Sequence, residues 1–242
     1  YTLSLHDALP IYLKGRRHSC DGVAAVSEKQ MRSEDMIALI DYDAGNMKSV
    51  EKALQLIGED VLVTRDPKEI LAADKVVLPG VGSFGDAMEN LHHFGLVPVI
   101  HQVVQEQTPF LGICLGLQLL FEKSEESPGV EGLGILKGEI LRIPAAEGLK
   151  IPHMGWNNIR FPNKGRLFAG VPEDAYVYFV HSYYLKAQDE KIVTATTEYG
   201  THIHASVESG NLFACQFHPE KSSHVGLQIL KNFAKLEGKG GR

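Results

Sequence analysis

From residue 36 onward the chain falls into short apolar runs separated by amphipathic stretches. Residues 37–41 (IALID) form a first apolar run that ends at Asp43-Ala44-Gly45-Asn46, a turn-rich group. Residues 47–57 then carry Val50, Leu54 and Ile57 at helical spacing, with Gly58 as a stop. Residues 61–64 and 75–78 (KVVL) read as second and third strands, the latter ending at Pro79-Gly80. The stretch 86–107 reads as helix broken at Gly95 and Pro98; 110–113 (FLGI) is a fourth buried strand and 115–123 a helix. Buried strands alternating with helices predict an α/β fold of three layers, with a mostly parallel central sheet covered on both faces. The second half differs. Residues 134–143, 176–182, 192–197, 202–208 and 212–217 are β-branched or aromatic runs punctuated by Gly, Pro and Asn, which predicts a mixed edge and a smaller antiparallel sheet. Residues 225–236 close the pattern as an amphipathic helix with Val225, Ile229, Phe233 and Leu236 on one face. One domain over 36–237 is expected, followed by a frayed tail at 238–242.

Residues 1–35 do not share this pattern. YTLSLHDALPI and the Arg/His/Ser-rich piece after it show no sustained period, and they resemble a translated sequencing adapter joined to a gene. The segment is expected to be a scar or a disordered leader, with Met36 as the functional start and Met31 as the alternative. Its charges cancel, so the net charge of −6 belongs to the remainder. No Lys/Arg run marks a nucleic-acid surface, and no apolar stretch approaches the ~20 residues of a membrane-spanning helix. Cysteines at 20, 114 and 215, without a CxxC pair, fit a reducing cytoplasm.

Chemistry enters at Gly112-Ile113-Cys114-Leu115-Gly116, between a predicted strand and a predicted helix. A nucleophile on such a turn sits on a strained backbone, and glycines two before and two after relieve the crowding. Free N–H groups at a helix start stabilise a thiolate, and the N–H of Leu115 is placed to receive an oxyanion. His218-Pro219-Glu220 follows the last predicted strand. Extended geometry would project both side chains to one side, letting the carboxylate orient the imidazole. Both groups lie just beyond strand ends that a parallel sheet would align. Cys215, on the opposite strand face with Phe213 and Phe217, reads as core.

GICLGLQLLF (112–121) together with QFHPEKS (216–222) resembles the class I, triad-type glutamine amidotransferase family, over essentially all of 36–236. DYDAGN (41–46), LPGVGSFGDAM (78–88), PHMGWN (152–157) and HSYY (181–184) narrow the resemblance to the glutaminase subunits of imidazole glycerol phosphate synthases. What the resemblance implies is hydrolysis of glutamine to glutamate and ammonia, without a metal or other cofactor. A (β/α)₈-barrel cyclase subunit would be the partner, using the ammonia to make imidazole glycerol phosphate and AICAR in histidine biosynthesis. By the same resemblance, Cys114 is the nucleophile, His218 the acid/base and Glu220 the orienter. Gly82, with Val81 beside it, matches the oxyanion strand; Gln118, Ser182 and Tyr183 match the glutamine site; Asn46, Met154, Trp156 and Lys221 match the partner interface.

Other readings use the same residues. Gly80-x-Gly82-x-x-Gly85 is a literal dinucleotide fingerprint, but it follows a later strand, and no acidic residue sits at a strand end about 20 residues on. A stand-alone hydrolase of γ-glutamyl compounds would keep the triad and turn over without a partner. A catalytically dead binding subunit would be indifferent to Cys114→Ala. His202-x-His204 lacks a third ligand and reads as a solvated strand edge rather than a metal site.

Overall fold

The computed structural model describes residues 36–238; the expectations for the leader and for the tail at 239–242 lie outside them. Five strands form the parallel core: β1 (Met36–Ile40), β2 (Asp60–Thr64), β3 (Lys75–Leu78), β4 (Phe110–Ile113) and β12 (Leu212–Cys215), in the order β2-β1-β3-β4-β12. Every residue of β3, β4 and β12 is buried, as a strand covered on both faces requires. Alternation sorts their side chains. Ala38, Ile40, Val76 and Leu78 pack into one apolar cluster, and Ile37, Leu39, Val77 and Leu111 into the other.

The first cluster is covered by α2 (Pro67–Ala72), α3 (Phe84–His93), α4 (Leu96–Gln105) and α5 (Leu115–Leu119), the second by α1 (Met47–Leu56) and α6 (Ser223–Ala234). Beyond β12 the same sheet turns antiparallel through β11 (His202–Ser209), β9 (Tyr183–Ala187) and β6 (Gly138–Arg142); β5 (Lys123–Ser124) pairs parallel with β6, and β10 (Val193–Glu198) pairs with β11. A separate antiparallel pair joins β7 (His153–Asn158) to β8 (Tyr176–His181).

Several boundaries differ from the sequence expectation. The helix expected over 115–123 stops at Leu119, and Lys123–Ser124 is instead a short strand. Gly95, at φ 65°, separates α3 from α4, but Pro98 breaks nothing. It is the third residue of α4, where its missing N–H is one that has no helical partner anyway. The strand expected over 176–182 ends at His181, and a strand that was not expected, Tyr183–Ala187, follows it in the other sheet. His204 is buried, its Nδ1 accepting the Ala187 N–H at 3.1 Å, so the expected solvated edge holds only for His202. Among the described residues no group of three or more His, Cys, Asp or Glu side chains could hold a metal ion, and no helix is long and apolar enough to cross a membrane.

Candidate active site

Parallel pairing decides where the chemistry gathers. β4 and β12 are neighbours, with Ile113 in register with Cys215, so Cys114 and the segment after β12 leave the sheet side by side. The Cys114 N–H extends this pairing, donating to the Cys215 carbonyl at 2.8 Å. Cys114 has φ 55° and ψ −106°, a conformation that costs an L residue on the order of 1–3 kcal/mol. The flanking glycines are forced: a Cβ on Gly116 would lie 2.0 Å from the Leu78 carbonyl oxygen, and one on Gly112 would lie 2.8 Å from that of Gly116.

His218 and Glu220 have fully buried side chains joined by a 2.7 Å hydrogen bond from Nδ1 to Oε1. They do not meet through an extended strand, as expected from spacing. Pro219–Lys221 is a single 3-10 turn, which folds the carboxylate back under the ring. The turn is tied to β8 in both directions: the His218 N–H donates to Tyr178 O at 2.9 Å, and Ser222 Oγ accepts from Tyr178 N at 2.9 Å while donating to His218 O at 2.6 Å. Asn46, at φ 70° in the turn after β1, donates through Nδ2 to the same Glu220 Oε1 at 2.6 Å. The carboxylate that orients the imidazole is thus itself held by an amide.

Burial pushes His218 toward the neutral form, but the neighbouring Cys114 and the Glu220 carboxylate overcome this and raise its pKa to about 9. The interaction with sulfur is one of proximity and charge, because Nε2 is buried with no hydrogen-bond partner in this conformation. Cys215 differs sharply. It is wholly buried, and burial together with the charges of Glu220 and Cys114 drives its thiol well above the ordinary range, keeping it protonated as the core residue expected.

Cys114 opens into a cavity of about 310 Å³. Val81, Gly82, Leu115, Gln118, Ser182 and Tyr183, the residues expected at the oxyanion strand and the glutamine site, all line it. The Leu115 N–H, however, is turned to the Gly80 carbonyl at 3.4 Å. Gly82 has φ +112°, and the segment's start is pinned by Tyr42, whose hydroxyl donates to Pro79 O at 2.7 Å. Glu126 also lines the cavity, its Oε2 accepting the Phe84 N–H at 2.8 Å. It sits in an acidic loop with no spacing signal, so sequence reasoning passed over it. His181 forms part of the wall, linked to His153 by a 3.1 Å ring–ring hydrogen bond; burial lowers their pKa values to about 3 and about 4.

The residues expected at an interface lie outside the cavity. Met154 and Trp156, 63% and 51% exposed, project from β7 beside Tyr178 and the exposed Tyr176 of β8, and Lys221 is exposed on the turn after His218. Trp156 is therefore no core residue. Asn46, also outside the cavity, is instead turned inward to Glu220.

The profile of class-I glutamine amidotransferases matches residues 38–236. Imidazole glycerol phosphate synthase subunit HisH of Moorella thermoacetica is 57% identical over 200 residues, covering 83% of this chain and 94% of that protein. The protein of the same description in Methanocaldococcus jannaschii is 48% identical over 201 residues, covering 83% of this chain and 100% of that one. Among solved structures, PurLQS from Thermotoga maritima superposes with a TM-score of 0.64 at 21% identity, covering 83% of this chain and 97% of that one, a likeness of fold. The chain belongs to the class-I glutamine amidotransferase family and, within it, to the HisH subunits of imidazole glycerol phosphate synthase.

Proposed function

We propose that this chain hydrolyses glutamine through Cys114, His218 and Glu220 and delivers the ammonia to a cyclase subunit. The observation that carries the reading is the buried His218–Glu220 pair at the strand end next to Cys114, the member of the three that opens on the cavity. With a pKa of about 9, His218 is protonated at neutral pH and carries its Nε2 proton beside the Cys114 sulfur. The sulfur attacks the side-chain carbonyl carbon of glutamine; the C–N bond breaks, and Nε2 gives its proton to the departing nitrogen. Acylation removes the sulfur's negative charge, and with it one of the causes that raise His218. The now neutral ring takes a proton from water, hydroxide attacks the thioester, and the C–S bond breaks to release glutamate.

Oxyanion donors come from Leu115 and the Val81–Gly82 segment, and losing one such donor typically costs ~2.7–4 kcal/mol of barrier. Because Gly80 O holds the Leu115 N–H, the resting conformation is throttled, and a shift of 79–82 releases it. The partner supplies that shift through the apolar face carrying Met154 and Trp156, which the His218–Tyr178 and Ser222–Tyr178 bonds connect to the triad. We assign Asn46 to holding Glu220, and Lys221 to the partner surface beside it. Free cysteines Cys114 and Cys215 and the biosynthetic setting of the HisH relatives support a cytoplasmic location.

The test is glutamine hydrolysis with and without a cyclase barrel loaded with its ribotide. Stimulation is expected, and Tyr42→Phe, which frees Pro79, should raise the unstimulated rate about fivefold, the worth of one hydrogen bond of about 1 kcal/mol. Equal turnover by the isolated chain and the complex would refute the switch. We further place the glutamine α-ammonium against Glu126. Glu126→Gln keeps an acceptor for Phe84 N but loses the charge, so KM should rise about tenfold or more with kcat little changed.

A further inference from the structure

A chain of side-chain amides runs to the sulfur of Cys114 and has no part in the mechanism so far. Gln118 Nε2 donates to the Tyr183 carbonyl at 3.2 Å and to Gln216 Oε1 at 3.0 Å; Gln216 Nε2 in turn lies 3.6 Å from Cys114 Sγ. Gln216 is fully buried at the end of β12, its backbone N–H donating to Ala205 O at 2.8 Å. The direction of the chain is forced from its far end. The Tyr183 carbonyl can only accept, and His181 Nδ1 also faces it at 2.9 Å. The Gln118 end that meets it must therefore be the NH₂ group, and since that NH₂ also faces Gln216, the Gln216 end there must be oxygen. This leaves the Gln216 NH₂ pointing at the sulfur. Reversing Gln118 would set oxygen against the Tyr183 carbonyl, and reversing Gln216 would set its NH₂ against the NH₂ of Gln118.

We propose that Gln216 is a further catalytic residue, whose side-chain amide donates a hydrogen bond to Cys114 Sγ and stabilises the anionic sulfur both before attack and as the C–S bond breaks. The proposal rests on Cys114 being the nucleophile. A hydrogen bond to an ion is about twice as strong as one to a neutral acceptor, so the amide favours thiolate over both thiol and thioester. It therefore assists at the two moments when sulfur carries charge. His218 acts from another side and moves protons; Gln216 moves none. The other titratable groups around the sulfur are Tyr42 after β1, Cys215 on β12, Glu220 behind His218, and Glu126, His181 and Tyr183 in the cavity wall, and a substitution at 216 leaves each in place.

The test follows iodoacetamide modification of Cys114 against pH in the full chain, located by peptide mass, with glutamine hydrolysis assayed on the same samples. In the unmodified sequence, activity should disappear in step with Cys114 modification. Gln216→Met, of similar volume but without a donor, should be modified about tenfold or more slowly at neutral pH. The pH midpoint of its reaction should move upward, and kcat should fall by a similar factor with KM little changed. Gln216→Glu, which presents oxygen to sulfur, should react more slowly still. Independently of any variant, the Gln216 side-chain amide resonance of ¹⁵N-labelled protein should shift with the same pH midpoint as the modification rate. An unshifted amide resonance, or Gln216→Met reacting like the parent, would overturn the proposal alone. Modification of Cys114 that leaves hydrolysis intact would overturn the nucleophile and the proposal together.

Discussion

Cys114→Ala is expected to lower glutamine hydrolysis by more than about a thousandfold while leaving the fold in place. Loss of a triad nucleophile removes the covalent route and leaves only binding and oxyanion stabilisation. The fold survives because Cys114 contributes a small side chain at the rim of its cluster, and Cys215 carries the packing beneath it. The backbone adds a second, opposite effect. Alanine keeps the disfavoured φ of 55°, whereas glycine adopts it freely, so Cys114→Gly should be equally inactive yet more stable than Cys114→Ala by about 1 kcal/mol. Thermal melts of the pair, alongside the glutaminase assay, check both halves. A Cys114→Ala chain that still turns over would leave the sulfur as mere packing.

Acid should destabilise the protein steeply below neutrality, through histidines that take no part in proton transfer. His153 and His181 are buried; His153 is stacked on Tyr199 at 3.8 Å, and its Nδ1 lies against His181 Nε2. Asn157 faces His153 Nε2, and His181 Nδ1 donates to Tyr183 O, so the chain has a single consistent direction in which both rings are neutral. Burial lowers their pKa values from 6.5 to about 4 and about 3. The unfolded chain therefore binds protons first as pH falls. Stability is fully present above about pH 6.5 and is lost toward pH 4 and then 3, at up to ~1.4 kcal/mol per pH unit for each ring. His218 has the opposite sign: its raised pKa stabilises below about 6.5 and is lost as pH rises through about 9. Urea melts between pH 7 and 4.5 should show the acid limb, and His153→Phe, which keeps the stacking, should about halve its slope. An unchanged slope in that variant would assign the limb to other groups.

The parallel half of the fold was legible because its strands are short, wholly apolar runs that sequence displays without ambiguity. KVVL and FLGI are buried on both faces, and two glycines at fixed offsets mark the nucleophile turn. Joining Cys114 to His218 needed one further idea, that parallel strands align their ends. β7 stayed hidden because HMGWNN mixes exposed polar and apolar residues without a period, and Pro67–Ala72 because it is only six residues long. β9 was not anticipated because Tyr183–Ala187 continues the aromatic, β-forming residues of β8 with no Gly, Pro or Asn to mark a new strand. Glu126 and Gln216 were missed for another reason: their roles come from what lies opposite them in space, Gln118 and Cys114 in the case of Gln216, 98 and 102 positions away in the chain. Asn46 was placed at an interface, and only coordinates reveal its amide on the Glu220 carboxylate.

The central claim is that the glutamyl group passes through a covalent bond to Cys114. It is tested most directly by quenching the full complex in acid during turnover of isotope-labelled glutamine and mapping the adduct by peptide mass. A labelled glutamyl thioester on the Cys114 peptide, lost when fresh buffer allows hydrolysis, is the predicted result. Continued hydrolysis with no adduct there, or with the label on another residue, would contradict it.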